Sequence, residues 1–348
     1  MSFHGMHRGG ALRRTAAALA LLGASGACTS DPAQKPPSTA AVSATLAAQH
    51  PGDRGLGQDP AVVFFDDFQA DTVDVLAARY TEVKNKSAMA LSADHPTGSA
   101  SGYSVQMNAG PGNANAQTYL FKSFGTGSDE LYVRFYVKWM AAGPWGHSGV
   151  YIGGSNPPLE YPFPHAGTRP TGADFFWLSL EPVGQGLNAP LDLYVSWMEM
   201  RSWKAANPGP RDFFGNTLIH KEDFRVRSDK WTCYEIHLKL NPDPASAAGA
   251  VLEVWENDAQ VRRFDDRGPQ GYLVRDKFCP WEADDQFCTT YRPAKLVPAP
   301  LNQRWRSTPA LGIDYIWMEN YNNASAASSL RFAGVVVAKR RIGCIASG

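Results

Sequence analysis

The stretch Lys230–Leu240, "KWTCYEIHLKL", decides the fold. Thr232, Tyr234, Ile236, Leu238 and Leu240 alternate along it with Cys233, Glu235, His237 and Lys239. A period of two places the first set on one side of a β-strand and the second set on the other. The first side suits a core. The second carries an acid, a base and a cation, so it is either a wet sheet face or the floor of a site for a charged ligand.

Outward from this strand the same signature recurs. "AVVFFDDF", "YSVQMNA", "TYLFKSF", "ELYVRFYVKWM", "SGVYIGG", "DFFWLSLEP", "LDLYVSWMEM", "AVLEVWEND", "GIDYIWMENY" and "LRFAGVVVAKR" are short, rich in β-branched and aromatic residues, and bounded by Gly, Pro, Asn or Asp. About a dozen such strands separated by turn signals predict an all-β domain of two packed antiparallel sheets. In "LYVRFYVKW", Leu131, Val133, Phe135, Val137 and Trp139 form one face, with Tyr132, Arg134, Tyr136 and Lys138 on the other. Three stretches break the rhythm: Ser155–Ala173, Ser202–Lys221 and Asp265–Thr308. They hold aromatics with Pro or Gly and read as ordered loop insertions over the sandwich edge, where long loops are more often functional than idle.

Composition narrows the function classes. The chain has 348 residues, and Lys+Arg and Asp+Glu both number 33, so the formal net charge is zero. That balance gives no reason to expect nucleic acid or an anionic membrane surface as the main partner. There is no Gly-x-Ser-x-Gly elbow and no His-Glu-x-x-His helix, and "GPGNANA" lacks the Lys-Ser/Thr of a phosphate loop. "WMEMRSW" and "WMENYNN" hold one acid each, which does not supply the paired carboxylates of a sandwich-type glycoside hydrolase.

The N-terminus reads as an export signal. Arg8, Arg13 and Arg14 precede the short apolar run "TAAALALLGA", and "LLGASGAC" ends at Cys28 in the manner of a lipoprotein signal. Plain cleavage near Ala27 is the alternative. Residues 1–28 are thus expected to be a signal peptide, 29–60 a disordered tether of small and polar residues, and 61–348 one β domain. The expected location is outside the cytoplasm, as a lipoprotein at the outer surface or in the periplasm, or secreted. Contact with the membrane would be through the lipid anchor only, and the protein is expected to be a monomer.

Four cysteines remain in that oxidising setting. Cys279 and Cys288 bracket the short loop "CPWEADDQFC" and are expected to pair, leaving Cys233 to join Cys344. A metal site is the rival, but no CxxC or HxxxH spacing supports one.

Several strands mix aromatic and charged residues on one face. Tyr315, Trp317, Glu319 and Tyr321 share a side, and Trp197, Glu199, Arg201 and Trp203 fall in step with one another. Ring faces that stack on sugar C–H surfaces, with charged groups for hydroxyls and carboxylates, suit a saccharide groove. Tyr136, Lys138, Glu199, Arg201, Glu235, Lys239, Trp255 and Glu319 are the candidate substrate contacts on these faces. The plainer reading is an amphipathic solvent face with snorkelling cations.

The order of these motifs resembles the Cip1-like proteins and their relatives, the glucuronan lyases of polysaccharide lyase family 20. "FFDDFQ" resembles the family's opening strand, "ELYVRFYVKW" its long strand, and "GHSGVYIGG" the segment that follows. "WTCYEIHLKL" resembles a Trp-x-Cys-aromatic-Glu-x-His strand, and "WMENYNN…LRFAGVVVAKRRIGC" the terminal strand with its Gly-Cys. The resemblance covers most of Ala61–Cys344. It implies a concanavalin A-like jelly-roll sandwich and an acidic polysaccharide as partner. It also implies a groove that holds His147, His237 beside Glu235, Arg134 and Tyr321. Members hold a calcium ion near the first and last strands, but Ala333, Gly334 and Gln69 stand here where acids are expected. No resident cofactor is therefore expected, and Asp66 and Asp67 are the acids left for an ion.

A uronate lyase must neutralise the substrate carboxylate, remove the proton α to it and protonate the leaving oxygen. On this reading Arg134 or Arg201 neutralises, His147 or His237 is the base, and Tyr321 or Tyr136 is the acid. The alternative is a non-catalytic carbohydrate-binding surface lipoprotein on the same fold.

Overall fold

A computed structural model describes residues 44–346, apart from 113–116, 141–142, 144, 185, 205, 293 and 323–325. The expected signal peptide, Cys28 and residues 29–43 of the expected tether lie outside the described residues.

The alternation in Lys230–Leu240 resolves as expected. Tyr234, Ile236, Leu238 and Leu240 are buried in the main core beside Val133, Phe135, Val137 and Trp139. The two strands pair antiparallel from Thr232↔Val137 to Lys239↔Glu130. Slipping this register by one residue would turn every core side chain outward, so the apolar period itself fixes the pairing.

An eight-stranded sheet grows from this pair. Its order is Ala259–Phe264, Val251–Glu256, Thr232–Lys239, Glu130–Trp139, Ser328–Ala338, Ser104–Ala109 and Met89–Ser92, with Val62–Asp66 also paired to Ser328–Ala338. Opposite lies a ten-stranded sheet centred on Leu191–Ser196, Phe175–Pro182, Ser148–Ser155, Ile313–Asn320 and Thr118–Ser128. Val150, Ile152, Leu178, Leu180, Leu193, Val195, Ile316 and Met318 fill its inner face. The chain crosses between the sheets repeatedly, so Ile313–Asn320 and Ser328–Ala338 come to lie in the middle of one sheet each. This is the wrapped order of a jelly-roll sandwich.

Two expectations need correcting. Asp265–Thr308 is more than a loop: Gln270–Val274, Lys277–Pro280 and Ala299–Pro300 extend the edge of the ten-stranded sheet. Residues 44–60 belong to the folded domain and not to a tether. Leu46, Ala47 and Leu56 are fully buried, and Leu46 and Leu56 pack on Val336, Ala338 and Ile342. A few apolar residues in a polar segment suffice when a sheet face waits to receive them.

That face is the outer side of the eight-stranded sheet. Ile342 N–H and Gly343 N–H donate to the Glu235 carboxylate at 2.7 and 2.9 Å, and Ile345 N–H donates to the Tyr136 hydroxyl at 2.6 Å. Asp53 Oδ2 sits 2.6 Å from Arg134 Nη2, and the Arg134 side chain is 0% exposed. Cys233 is bonded to Cys344, closing a separation of 111 residues. In the chain-entropy picture a loop of that length is worth about 4–5 kcal/mol. Cys279 is bonded to Cys288, so both expected pairs form. The charged half of the opening strand is therefore the seat on which the C-terminal segment docks, while residues 44–60 dock beside it on Ser328–Ala338 and Arg134.

Candidate active site: an aromatic groove on the ten-stranded sheet

The outer face of the ten-stranded sheet has a different character. Registers place Phe121, Trp317, Tyr151, Ser179 and Tyr194 in one row across it. The next row runs Tyr119, Glu319, Gly149, and Glu181 follows where Val150 pairs with Leu180. Alternation forces these side chains outward, because their neighbours face the core. Tyr151 stacks on Trp317 with centroids 4.5 Å apart, and Trp177 lies 5.6 Å from Tyr151 and 5.5 Å from Tyr194. Gly153 keeps the floor flat: a Cβ there would sit 2.3 Å from the Tyr315 hydroxyl.

Two of the long loops wall this floor. Pro162, Pro164 and His165 come from one, and Phe213, Phe214 and Gly215 from the other. They enclose a cleft of about 540 Å³, a size that suits a small ligand or a few sugars. His165 stacks on Phe175 at 3.8 Å, and burial pulls its imidazole pKa down.

His147 stands at one end of the floor. Its backbone is left-handed, with φ at 52°, a conformation that non-glycine residues adopt seldom and that clusters at functional positions. Nδ1–H donates to Glu181 Oε1 at 2.7 Å, which leaves Nε2 as the nitrogen available to a ligand. The Tyr151 hydroxyl donates to the other Glu181 oxygen at 3.0 Å. Rings of Tyr194 and Tyr321 lie 5.2 and 5.9 Å from the imidazole. The His147 side chain is 40% exposed, whereas that of Glu181 is buried. Burial alone would lower the His147 pKa, but the hydrogen bond and charge of Glu181 outweigh it and hold the pKa above the usual imidazole value.

Glu319 lies further along the floor. Its Oε1 accepts from Gln117 Nε2 at 2.7 Å. Burial, and then the charge of Glu181, push its pKa far above the carboxylate range, with Lys84 opposing. Both effects favour the neutral form of Glu319, the form that can donate as well as accept. Lys84 lines the same end, with Nζ 5.9 Å from the Tyr119 ring centroid.

The structure thus brings together His147, Tyr321 and Glu319 from the residues singled out in the sequence. Most of the others belong to the opposite sheet. Arg134 is the buried counter-ion of Asp53, and Tyr136 and Glu235 hold the C-terminal backbone. His237 is 5% exposed, with Nδ1 2.7 Å from Glu253, Nε2 2.8 Å from Glu130 and its ring stacked on Tyr132. Neither nitrogen is left for a substrate. Lys138 binds Asp94 at 2.7 Å, Lys239 approaches Glu130 at 3.9 Å, and Trp255 is covered by the Arg341 guanidinium at 4.8 Å. A packed core separates all of these from the groove. Glu199 and Arg201 follow the end of Leu191–Ser196 and do not line it, while Trp197 turns into the core.

The groove residues not singled out include Glu181, Tyr151, Trp177, Tyr194, Gln117 and Lys84. Their signal was present: "DFFWLSLEP" places Trp177, Ser179 and Glu181 on one face, and "SGVYIGG" places Tyr151 between two glycines.

The acids left for calcium do not fit an ion. Asp66 Oδ1 accepts from Phe68 N–H at 2.8 Å and from Arg79 Nη1 at 2.6 Å, and Oδ2 accepts from the Tyr80 hydroxyl at 2.9 Å. Asp67 Oδ1 takes Gln69 N–H and lies 3.9 Å from the same guanidinium. An arginine fills the charge need that a cation would meet. His220, Asp285 and Cys288 also converge, but Cys288 is bonded to Cys279 and has no thiolate to offer.

No family model matches the chain, and no curated protein does. Solved structures match it at low identity. The alginate lyase Aly36B bound to an alginate tetrasaccharide is 10% identical, with a TM-score of 0.49, covering 81% of this chain and 98% of that one. The endo-β-1,4-glucuronan lyase of the fungus Trichoderma reesei is 11% identical, with a TM-score of 0.40 and coverage of 80% and 96%. The cellulose-induced protein Cip1 is 15% identical, with a TM-score of 0.37 and coverage of 74% and 88%. The two groups named by motif order, Cip1 and a glucuronan lyase, are thus both among the matches. What the groove can do follows from its own side chains.

Proposed function

We propose that this chain binds a uronate-containing polysaccharide along the groove and cleaves it by β-elimination. The observation that carries the reading is the His147–Glu181 pair, beside Tyr321 on an aromatic floor that also holds the buried Glu319. A sugar ring stacks on Tyr151 and Trp317, and its carboxylate meets Glu319, Gln117 and Lys84 at the floor's end. A hydrogen bond from neutral Glu319 and the charge of Lys84 draw electron density from that carboxylate and make the α-proton more acidic. His147 Nε2 takes this proton, with Glu181 holding the tautomer whose lone pair faces the sugar. The electrons form the ring double bond, the glycosidic bond breaks, and the Tyr321 hydroxyl protonates the leaving oxygen. The two disulfides fit a working place outside the cytoplasm. Among the described residues no helix is long and apolar enough to cross a membrane.

Incubation with glucuronan, alginate or pectate is expected to generate the ultraviolet absorbance of an unsaturated uronate at the new non-reducing end, with one new reducing end per cut and no oxygen taken up from water. His147 must be neutral to act, so kcat/KM rises with pH through a pKa above the ordinary imidazole value. In Glu181→Gln only burial still acts on that imidazole, and the rising limb moves to lower pH. Cleavage by simple hydrolysis, or no absorbance on any of the three polymers, overturns the proposal.

A further inference from the structure

A second cavity, about 360 Å³, adjoins the groove and shares Phe213 with it as a common wall. Arg169, Arg201, Lys204 and Arg275 line it, and no acid does. By contrast the groove itself is lined by one lysine and the acid Glu319. Some of these cations are already engaged. Arg169 donates to the Met198 carbonyl and lies 3.9 Å from Glu199, and Lys204 lies 2.8 Å from Asp212. Arg275 is different. Its guanidinium lies 4.5 Å from the Tyr291 ring centroid, while its Nε is buried with no hydrogen-bond partner. A buried N–H left unmatched costs about 1–3 kcal/mol unless a ligand or water meets it. The exposed Trp203 lies next to Lys204, with Nζ 5.3 Å from its ring centroid.

We infer that this cavity is a distal subsite that takes the carboxylate of a sugar further along the same polysaccharide chain, beyond Phe213. The inference rests on the groove as the place where the chain binds. It makes substrate choice depend on two separated carboxylates. The catalytic end meets one with a neutral acid and a lysine, and the distal end meets another with a cluster of guanidinium groups, whose planar forks suit carboxylates. Neutral glycans of the same shape would stack on the floor but gain nothing past Phe213.

The test measures binding of glucuronate and alginate oligosaccharides, three and six residues long, by tryptophan fluorescence, with a neutral cellulose-derived hexasaccharide as control. The wild-type protein is expected to bind an acidic hexasaccharide at least tenfold more tightly than its trisaccharide, and added salt should narrow the difference. In Arg201→Ala/Lys204→Ala, two exposed side chains whose loss leaves the fold intact, the hexasaccharide-over-trisaccharide ratio is expected to fall about tenfold. Arg201→Glu should lower it further. If the wild-type ratio is near one, or if neither variant changes it, the subsite does not exist. A high ratio that collapses in the variants, without any unsaturated product, keeps the subsite and overturns the lyase reading instead.

Discussion

Replacing His147 with Asn is expected to lower kcat on the cleaved polymer about a thousandfold, within the roughly 10²–10⁴ range of a general base. Asn tolerates the left-handed backbone at this position, so the variant keeps the loop while losing the imidazole. Affinity for oligosaccharide should change far less than kcat, because the stacking floor of Tyr151, Trp317 and Trp177 is untouched. His237→Gln is the matched control. Its ring lies between two carboxylates on the other sheet, so that variant should lose stability and keep kcat per folded molecule. The two histidines looked equivalent in the sequence, and this pair of measurements separates them. Equal loss of kcat in both would contradict the placement of the site.

Arg134→Met is expected to destabilise the domain by about 3–5 kcal/mol, because it leaves the Asp53 carboxylate buried without its counter-charge. Urea unfolding should show a lower midpoint with an unchanged slope. Turnover per folded molecule is expected to stay near wild type, since Arg134 lies across the core from the groove. Adding Asp53→Asn to Arg134→Met removes the stranded charge with a residue that tolerates the left-handed backbone at this position (φ 63°), and the double variant should recover part of the lost stability. A loss of turnover in Arg134→Met that survives this recovery would place Arg134 in the chemistry after all.

The contrast between these two residues shows what alternation can and cannot say. In "ELYVRFYVKW" and "KWTCYEIHLKL" the period of two separates core from non-core without error, and the sandwich follows from it. Alternation is blind to which sheet a strand joins. Both sheets have outer faces that mix rings with charges, so Arg134, His237, Glu319 and Tyr321 look alike until the register is known. The outer face of the eight-stranded sheet is covered by residues 44–60 and by the last residues of the chain. Those segments are remote in sequence and poor in apolar residues, and nothing in the strands themselves announces them. Buried Arg134 and Glu235 are legible only once Asp53, Ile342 and Gly343 are in place. The groove is the reverse case. Its decisive acid, Glu181, lies in a strand that reads plainly as one, yet its role depends on a left-handed turn that aims His147 at it. Backbone geometry of that kind leaves no mark in composition.

The cysteines were the more legible part. A nine-residue separation between Cys279 and Cys288 leaves little choice of partner for Cys233 once those two pair. That bond also explains why the charged half of the opening strand is dry: it pins the C-terminal segment across Glu235.

The most direct measurement is a crystal structure of His147→Asn soaked with a uronate tetrasaccharide drawn from the polymer that the protein cleaves. The sugar is expected on the ten-stranded sheet, with one ring over Tyr151 and Trp317. One carboxylate should lie within hydrogen-bond distance of Glu319 or Gln117, and a glycosidic oxygen close to the Tyr321 hydroxyl. A tetrasaccharide bound instead on the eight-stranded sheet, or lying in the groove with its carboxylates turned away from Glu319 and Gln117, would contradict the account.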